Sequence, residues 1–465
     1  MACFVPSEPP KTRLGHLRQL SKRAGVHASP FQLGGMSIGE SSWTQVGMGE
    51  MTKEMSFKLL DAFWEAGGNL IDTAGFYQDG TSEQFIGEWA EVRGVRDQVL
   101  FATKYSNNYH LPNNSVARAA HAGNSAKALR NSITSSLKNL RTDYIDIYYL
   151  HYWDWDTSVE EIMDSLHNYV VQGKILYLGV SNAPTWAVAR ANEYARRTGK
   201  TPFTIFQTMY SIMERSAERE ILPFVRDEGM AFAPFGVLCA GKLRSDEEEE
   251  RRKKTGEQGR NMPWSGGWER TPEEKKVCDH LEKVRKEVGA KTITSVAIAY
   301  VLHKAPFVFP ILGGRKPEQL LSNIEALEIA LTDEQIAYLD TAKPIDPGFP
   351  NFLIGDGSSY PMGLCWSTLV KTPRAGPIRP TKENVSAASP AKSEEKAEAT
   401  PAAPKQVPAS KPESAGLVDA SRTSTITTQS SEDGSEGSAG KKKSKLSGLK
   451  KLLHHGHKDK DGNRA

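Results

Sequence analysis

NLIDTAGFYQDGTSEQFIGEWAEVRGVRDQVLFATK, residues 69–104, contains one whole structural unit. NLIDTA (69–74) and VLFATK (99–104) are short apolar runs, whereas SEQFIGEWAEV (82–92) between them carries helical periodicity. A strand, a covering helix and a second strand in that order argue for two parallel neighbours joined by a crossover. The same alternation extends in both directions. Upstream lie FQLGGM (31–36) and the helical SFKLLDAFWEAGG (56–68). Downstream come AKALRNSITSSLKNL (126–140), YIDIYYL (144–150) and SVEEIMDSLHNYVVQG (158–173), then ILYLGVSN (175–182) with TWAVARANEYARR (185–197). FTIFQTMYS (203–211) leads to EREILPFVRDEG (218–229), AFAPFGVL (231–238) to helices around 272–304, and FVFPILGG (307–314) to KPEQLLSNIEAL (316–327). Eight strands and eight crossovers make an α/β fold of the closed (β/α)8 TIM-barrel kind. A doubly wound open sheet is the competitor, and the Gly-x-Gly-x-x-Gly turn that usually announces it is absent.

Composition sets the limits of this domain. Residues 1–25 form a lead, 26–370 the barrel, 371–440 a linker rich in Pro, Ala, Ser and Thr that cannot bury a core, and 441–465 a basic end. The tail from 371 carries about 18 basic and 11 acidic side chains, roughly +7, against +3 for the chain. In KKKSKLSGLKKLLHHGHK, Leu446, Leu449, Leu452 and Leu453 share a helical face amid lysines. Weak contact of residues 441–458 with an anionic membrane or an acidic partner is one reading, and a solvated end the other. Cys3, Cys239, Cys278 and Cys365 are scattered, and neither a signal peptide nor a long apolar span is visible. The expectation is a cytoplasmic protein without nucleic-acid partners, its oligomeric state open.

Asp72, Lys104 and His151 close or follow consecutive predicted strands, and Tyr77 lies in the loop after Asp72. In a parallel barrel these strand ends share one rim, where active sites lie. Alone, each residue has an ordinary explanation as cap, surface charge, rim aromatic or satisfied histidine. Together they describe a phenol prepared to donate a proton. Tyrosine, with an ordinary pKa near ~10, needs a cation beside it to do so near neutrality; Lys104 offers the charge, and Asp72 keeps the lysine protonated.

These residues, with GGNLIDTAGFY, ATKY, SLKNLRTDYIDIYYLH and GKILYLGVSN, resemble the aldo-keto reductase superfamily from about Phe31 to Leu327. More narrowly, SFKLLDAFWEAGGNLIDTA, YLHYWDWDTSVEEIMDSL and GKTPF resemble its fungal aryl-alcohol dehydrogenase branch, which includes norsolorinic acid reductase-like proteins. The resemblance implies that Tyr77 protonates a carbonyl oxygen as hydride arrives, that Lys104 and Asp72 tune it, and that a neutral His151 hydrogen-bonds the same oxygen. Hydride must come from a nicotinamide cofactor.

By the same resemblance Gly35 and Asp72 border the cofactor, Ser181, Asn182 and Gln207 clamp its carboxamide, and Phe235 stacks on its ring. Leu238 and Lys242 lie near the pyrophosphate, and Gly313, Gln319 and Asn323 complete the adenosine site. Arg315 and Lys316, at the junction between the last strand and its helix, suit a 2′-phosphate and favour NADPH/NADP+ over NADH. Trp43 and Trp153, with Tyr77 and His151, line the expected substrate pocket, and Trp155, Trp264 and Trp268 add to an aromatic rim. Aryl aldehydes or aromatic ketones fit such walls. Tyr152, Phe235 and Gly236 depart from the branch pattern and bear on substrate choice and cofactor affinity.

Residues 244–268, with the charge run DEEEERRKK, read as a long loop that is either a lid or an inert insertion. Two other functional readings stand beside the reductase. A cofactor-sensing binding protein would use the basic tail for docking. A metal-dependent hydrolase through His151, Asp154 and Asp156 lacks a second histidine on a neighbouring strand end, so no metal is expected.

Overall fold

The computed structural model describes residues 8–41, 43, 49–109, 117–257, 267–365 and 368–380. Trp264, the tail beyond residue 380 and its 441–465 segment lie outside them.

A two-stranded hairpin, β1 (Arg18–Ser21) and β2 (Ala24–Ala28), precedes the barrel strands: β3 (Gln32–Gly34), β4 (Leu70–Asp72), β5 (Leu100–Tyr105), β6 (Ile145–Leu150), β7 (Ile175–Ser181), β8 (Phe203–Met209), β9 (Ala231–Phe235) and β10 (Ile311–Gly313). Each barrel strand pairs in parallel with its neighbour in the order β10-β3-β4-β5-β6-β7-β8-β9. The ring closes ahead of β10. Phe232 forms a parallel bridge with Val308, its N–H donating to Phe307 O at 2.7 Å while its carbonyl accepts from Phe309 N at 2.8 Å. The (β/α)8 barrel expected from the pattern is the fold observed. β5 and β6 are buried at every residue, because parallel strands between helices and a barrel interior have no wet face.

The helices between them are α1 (Lys53–Glu65), α2 (Thr81–Arg93), α3 (Ala126–Asn139), α4 (Val159–Val171), α5 (Thr185–Arg197) and α6 (Ile221–Glu228). α7 (Asp246–Thr255), α8 (Pro272–Val288) and α9 (Ile293–Leu302) lie between β9 and β10, and α10 (Pro317–Asn323) and α11 (Asp333–Asp340) follow. Several helix starts carry the side-chain acceptor that an unpaired first turn needs. Thr52, Ser125 and Ser158 accept from the N–H three residues on.

Two features were not read from the sequence. The lead runs into the β1–β2 hairpin, whose Leu20, Ala24 and Ala28 join Leu70, Leu100, Ala231 and Phe309 in one core cluster and so stopper the barrel at the amino ends of its strands. Asn69 fastens it, accepting from Ser29 N at 2.8 Å and donating to His27 O at 3.1 Å. In the 244–268 stretch, α7 replaces part of the expected loop. It has no apolar stripe, which is why periodicity misses it; Ser245 caps its start, acids fill its first turn and bases its last, and Glu248 pairs with Arg251 and Arg252. Residues 371–380, the start of the expected linker, lie against the barrel, with Arg374 donating to Asp356 O at 2.8 Å and Arg379 pairing with Asp333.

Candidate active site

Parallel pairing brings the carboxyl ends of the strands to one mouth, and the polar residues arrive there in register. Gly34 lies opposite Asp72, Lys104 opposite Tyr149, and Ser181 opposite Gln207. Gly179, opposite Tyr149, is required by space: a Cβ there would meet the Tyr149 ring at 2.4 Å.

Lys104 and Asp72 form the floor. Lys104 Nζ donates to Asp72 Oδ1 at 2.7 Å, to Oδ2 at 2.8 Å and to Thr73 O at 2.7 Å, which accounts for all three ammonium protons. Gln207 Nε2 donates to Asp72 Oδ2 at 2.9 Å. Burial raises the Asp72 carboxyl and lowers the Lys104 ammonium from their ordinary values, and their mutual attraction opposes both shifts. The ammonium lies 5.2 Å from the centroid of the Tyr77 ring. A second buried carboxyl, Glu83 on α2, stands behind this layer, accepting from Thr103 Oγ1 at 2.7 Å and Asn139 Nδ2 at 3.1 Å; burial raises it too.

Tyr77 is packed in an aromatic cage. Its centroid is 6.1 Å from Trp43, 5.1 Å from Phe76 and 6.2 Å from His151, edge-on to the first and the last. Burial holds the His151 imidazole well below its ordinary pKa, with Lys104 adding to the effect, so the ring is neutral at pH 7. Its Nδ1 faces Asn107 Nδ2 at 3.1 Å. An amide N–H there makes Nδ1 the acceptor and leaves the ring proton on Nε2.

Asn107 was missed by sequence reasoning, and so was Gln78. Directly after Tyr77, Gln78 is fully buried in the left-handed region (φ 50°). Its Nε2 donates to Met36 O and Gly49 O, both at 2.9 Å, and its Oε1 accepts from Ser41 Oγ at 2.8 Å. Asp79 follows in the same conformation (φ 55°) and accepts from Trp43 Nε1 at 3.2 Å. The Tyr77 loop thereby fastens the β3–α1 loop that carries Trp43. A pair of left-handed residues ahead of Gly80 is not visible in sequence, since neither is glycine.

The other expected positions fall as follows. Ser181 is fully buried, and Asn182, at φ 46°, donates to its Oγ at 3.0 Å and to His151 O at 3.2 Å. Phe235 is half-buried at the end of β9, with Leu238 close behind. Arg315, Lys316, Gln319 and Gly313 are exposed near the end of β10, while Asn323 is buried on α10. The Arg315 guanidinium lies over Gly49, where a Cβ would come within 3.0 Å of Nη1. Trp153 is half-buried, its N–H donating to Asn182 O at 3.3 Å, and Trp155 is exposed. Two of the expected cofactor positions carry internal contacts. Gly35 donates its N–H to Asp72 O at 2.7 Å and accepts from Ser82 Oγ at 2.8 Å, a packed contact with no room for a side chain. Lys242 is buried and held by Glu274 and the Glu269 carbonyl.

Comparison with known proteins bears on this arrangement. Residues 30–344 match the model of the aldo/keto reductase family. The chain is 54% identical over 367 residues to an aryl-alcohol dehydrogenase [NADP(+)] of Phanerodontia chrysosporium, covering 77% of this chain and 94% of that protein. It is 43% identical over 388 residues to a norsolorinic acid reductase of Aspergillus flavus, covering 81% and 96%.

Proposed function

Because the chain belongs to the aldo/keto reductase family, we propose that it is an NADPH-dependent oxidoreductase that reduces aryl aldehydes or aromatic ketones to alcohols. One observation carries the reading: an acid, a neutral hydrogen-bond donor and a buried cation–carboxylate pair share one mouth. Tyr77 protonates the carbonyl oxygen. Lys104, 5.2 Å from the Tyr77 ring centroid, stabilises the phenolate left behind, and Asp72 and Thr73 O hold the lysine charged and in place. His151 donates from Nε2 to the same oxygen, its tautomer set by Asn107 and its neutrality by burial.

When bound, the nicotinamide supplies the hydride, which no side chain of the mouth can furnish. The donor set fits such a group. Arg315 and Lys316 are exposed cations with no carboxylate partner among the described residues, and they would hold a 2′-phosphate. α10 has only seven residues, so these side chains, rather than the helix dipole, carry the preference. Ser181, Asn182 and Gln207 would hold the carboxamide, and Phe235 the ring. The relatives' names, an NADP(+) aryl-alcohol dehydrogenase and a reductase of norsolorinic acid, support the same cofactor and an aromatic substrate. Trp43, Phe76 and Trp153 supply the matching walls.

The test is oxidation of NADPH and of NADH by the full chain over aryl aldehydes, aliphatic aldehydes and polycyclic ketones. Turnover with NADPH and an aryl carbonyl is expected, with NADH weaker by at least tenfold. Tight nucleotide binding with no turnover over the whole panel would overturn the reading in favour of a cofactor sensor.

A further inference from the structure

At the stoppered end of the barrel, away from the mouth, basic side chains converge on a cleft of about 260 Å3. Arg13, His16 and Arg18 line it from the amino-terminal segment, Leu327 from the stretch after α10, and Ile378, Arg379 and Pro380 from the 371–380 segment that lies against the barrel. Arg18 opens β1, the hairpin strand that packs under Leu70 and Leu100, so the cleft lies at the amino ends of the strands. His303, at the end of α9 and 6% exposed, is close enough to feel both Arg18 and Arg379.

The chemistry of this cleft is unbalanced. Nine buried side-chain nitrogens and oxygens among the described residues have no hydrogen-bond partner, and four of them are Arg13 Nη2, His16 Nε2, His303 Nε2 and Arg379 Nε. Buried polar atoms are normally paired, so four orphans on neighbouring cationic or imidazole groups point to an absent partner. Among the described residues the one carboxylate that pairs with any of these groups is Asp333, which holds Arg379 Nη2 at 2.5 Å and is itself 83% exposed. Among the described residues Arg18 pairs with no carboxylate, and burial pulls its guanidinium down to about 10. Three arginines gathered on a partly apolar wall repel one another, and that repulsion is relieved by a bound negative charge.

We propose that the cleft is an anion site, shaped for inorganic phosphate or a small phosphate monoester. The guanidinium groups of Arg13, Arg18 and Arg379 supply donors in the planar fork that suits phosphate oxygens. His303 lies near Arg18 and Arg379, behind this lining. Its Nδ1 lies 2.5 Å from Ala299 O and donates there, which leaves an unpartnered lone pair on Nε2. A volume of about 260 Å3 holds a phosphate together with several waters at ~30 Å3 each. Residues 371–380 reach this cleft through Ile378, Arg379 and Pro380, so an anion here ties that segment to the amino-terminal lead.

The full-length protein tests this by thermal unfolding and calorimetric titration in phosphate, in glycerol phosphate and in chloride at matched ionic strength, each with saturating NADP+ and without. Phosphate at about a hundred times its dissociation constant should raise the midpoint by roughly 3 °C over chloride, with one site per chain. The ester binding more tightly assigns a phosphate monoester; the reverse assigns free phosphate. Arg18→Met should abolish the rise while leaving the phosphate-free midpoint equal or higher, since a repulsion is removed. Arg379→Gln should weaken phosphate at least fivefold and leave NADPH turnover unchanged. An identical response to chloride would overturn the site. So would a phosphate response that survives both variants and is lost in Arg315→Leu, since that places the anion at the mouth.

Discussion

Lys104 and Asp72 meet through both carboxylate oxygens, at 2.7 and 2.8 Å, with their side chains 0% and 4% exposed. Neither charge has water to fall back on. Lys104→Met or Asp72→Asn alone should cost about 3–5 kcal/mol of stability, because each strands a buried charge, and should lower turnover at least ~100-fold. The double variant should be less destabilised than the sum of the singles by about 1–3 kcal/mol. Urea unfolding of the three variants measures this, and additive losses would mean that the pair is not coupled.

Tyr77→Phe keeps the ring contacts to Trp43, Phe76 and His151 and removes only the acidic proton. Turnover of an aryl aldehyde should fall by about 10^2–10^4, with NADPH affinity by fluorescence titration unchanged. Retention of more than a tenth of the activity would rule Tyr77 out as the acid.

Gln78 acts through its neighbours. Gln78→Leu leaves Met36 O, Gly49 O and Ser41 Oγ without the amide that joins them, and should release the loop bearing Trp43. The expected result is a KM for aryl substrates raised by roughly tenfold and a stability loss of about 2 kcal/mol. The dissociation constant for NADP+ should stay within twofold. A uniform loss of cofactor and substrate binding would instead indicate general collapse.

Asn107→Leu removes the donor to His151 Nδ1. The imidazole can then take either tautomer, and the fraction carrying Nε2–H falls. Nitrogen NMR of the ring should show the mixture, accompanied by a several-fold loss in kcat at unchanged KM.

Stability should depend on pH through two histidines. Burial lowers His151 well below its ordinary value and lowers His303 to about 4. A folded-state pKa below the unfolded ~6.5 means that the unfolded chain binds the proton first. Stability is therefore full above pH ~6.5 and falls as pH drops toward 4, by about 3 kcal/mol for His303 alone. His303→Gln in phosphate-free buffer should flatten the melting midpoint between pH 7 and 4.5. An unchanged slope would exclude it as the titrating group.

Asp72, Lys104 and His151 were legible because strand ends in a parallel barrel share a rim whatever lies between them. Gln78 and Asn107 were not, because their importance comes from partners 42 and 44 residues away across loops. At Gly35 and Lys242, which the sequence reads as cofactor contacts, the structure adds internal partners: Asp72 O, Ser82 and Ile86 leave no room for a side chain at the first, and Glu274 pairs with the second. The helix at 246–255 escaped because charge pairs and capping, rather than a buried face, hold it.

Barrel closure sets a clock on synthesis. β3 hydrogen-bonds to β10, so the first barrel strand waits for the last. At ~5–20 residues per second, the intervening stretch of about 280 residues takes roughly 15–55 s to emerge. Throughout that interval β3 presents an unpaired edge, and the hairpin under it has only part of the core that Phe309 and Ala231 later complete. A nascent chain in this state is a natural client for chaperones, and slowed translation between residues 240 and 310 prolongs its exposure.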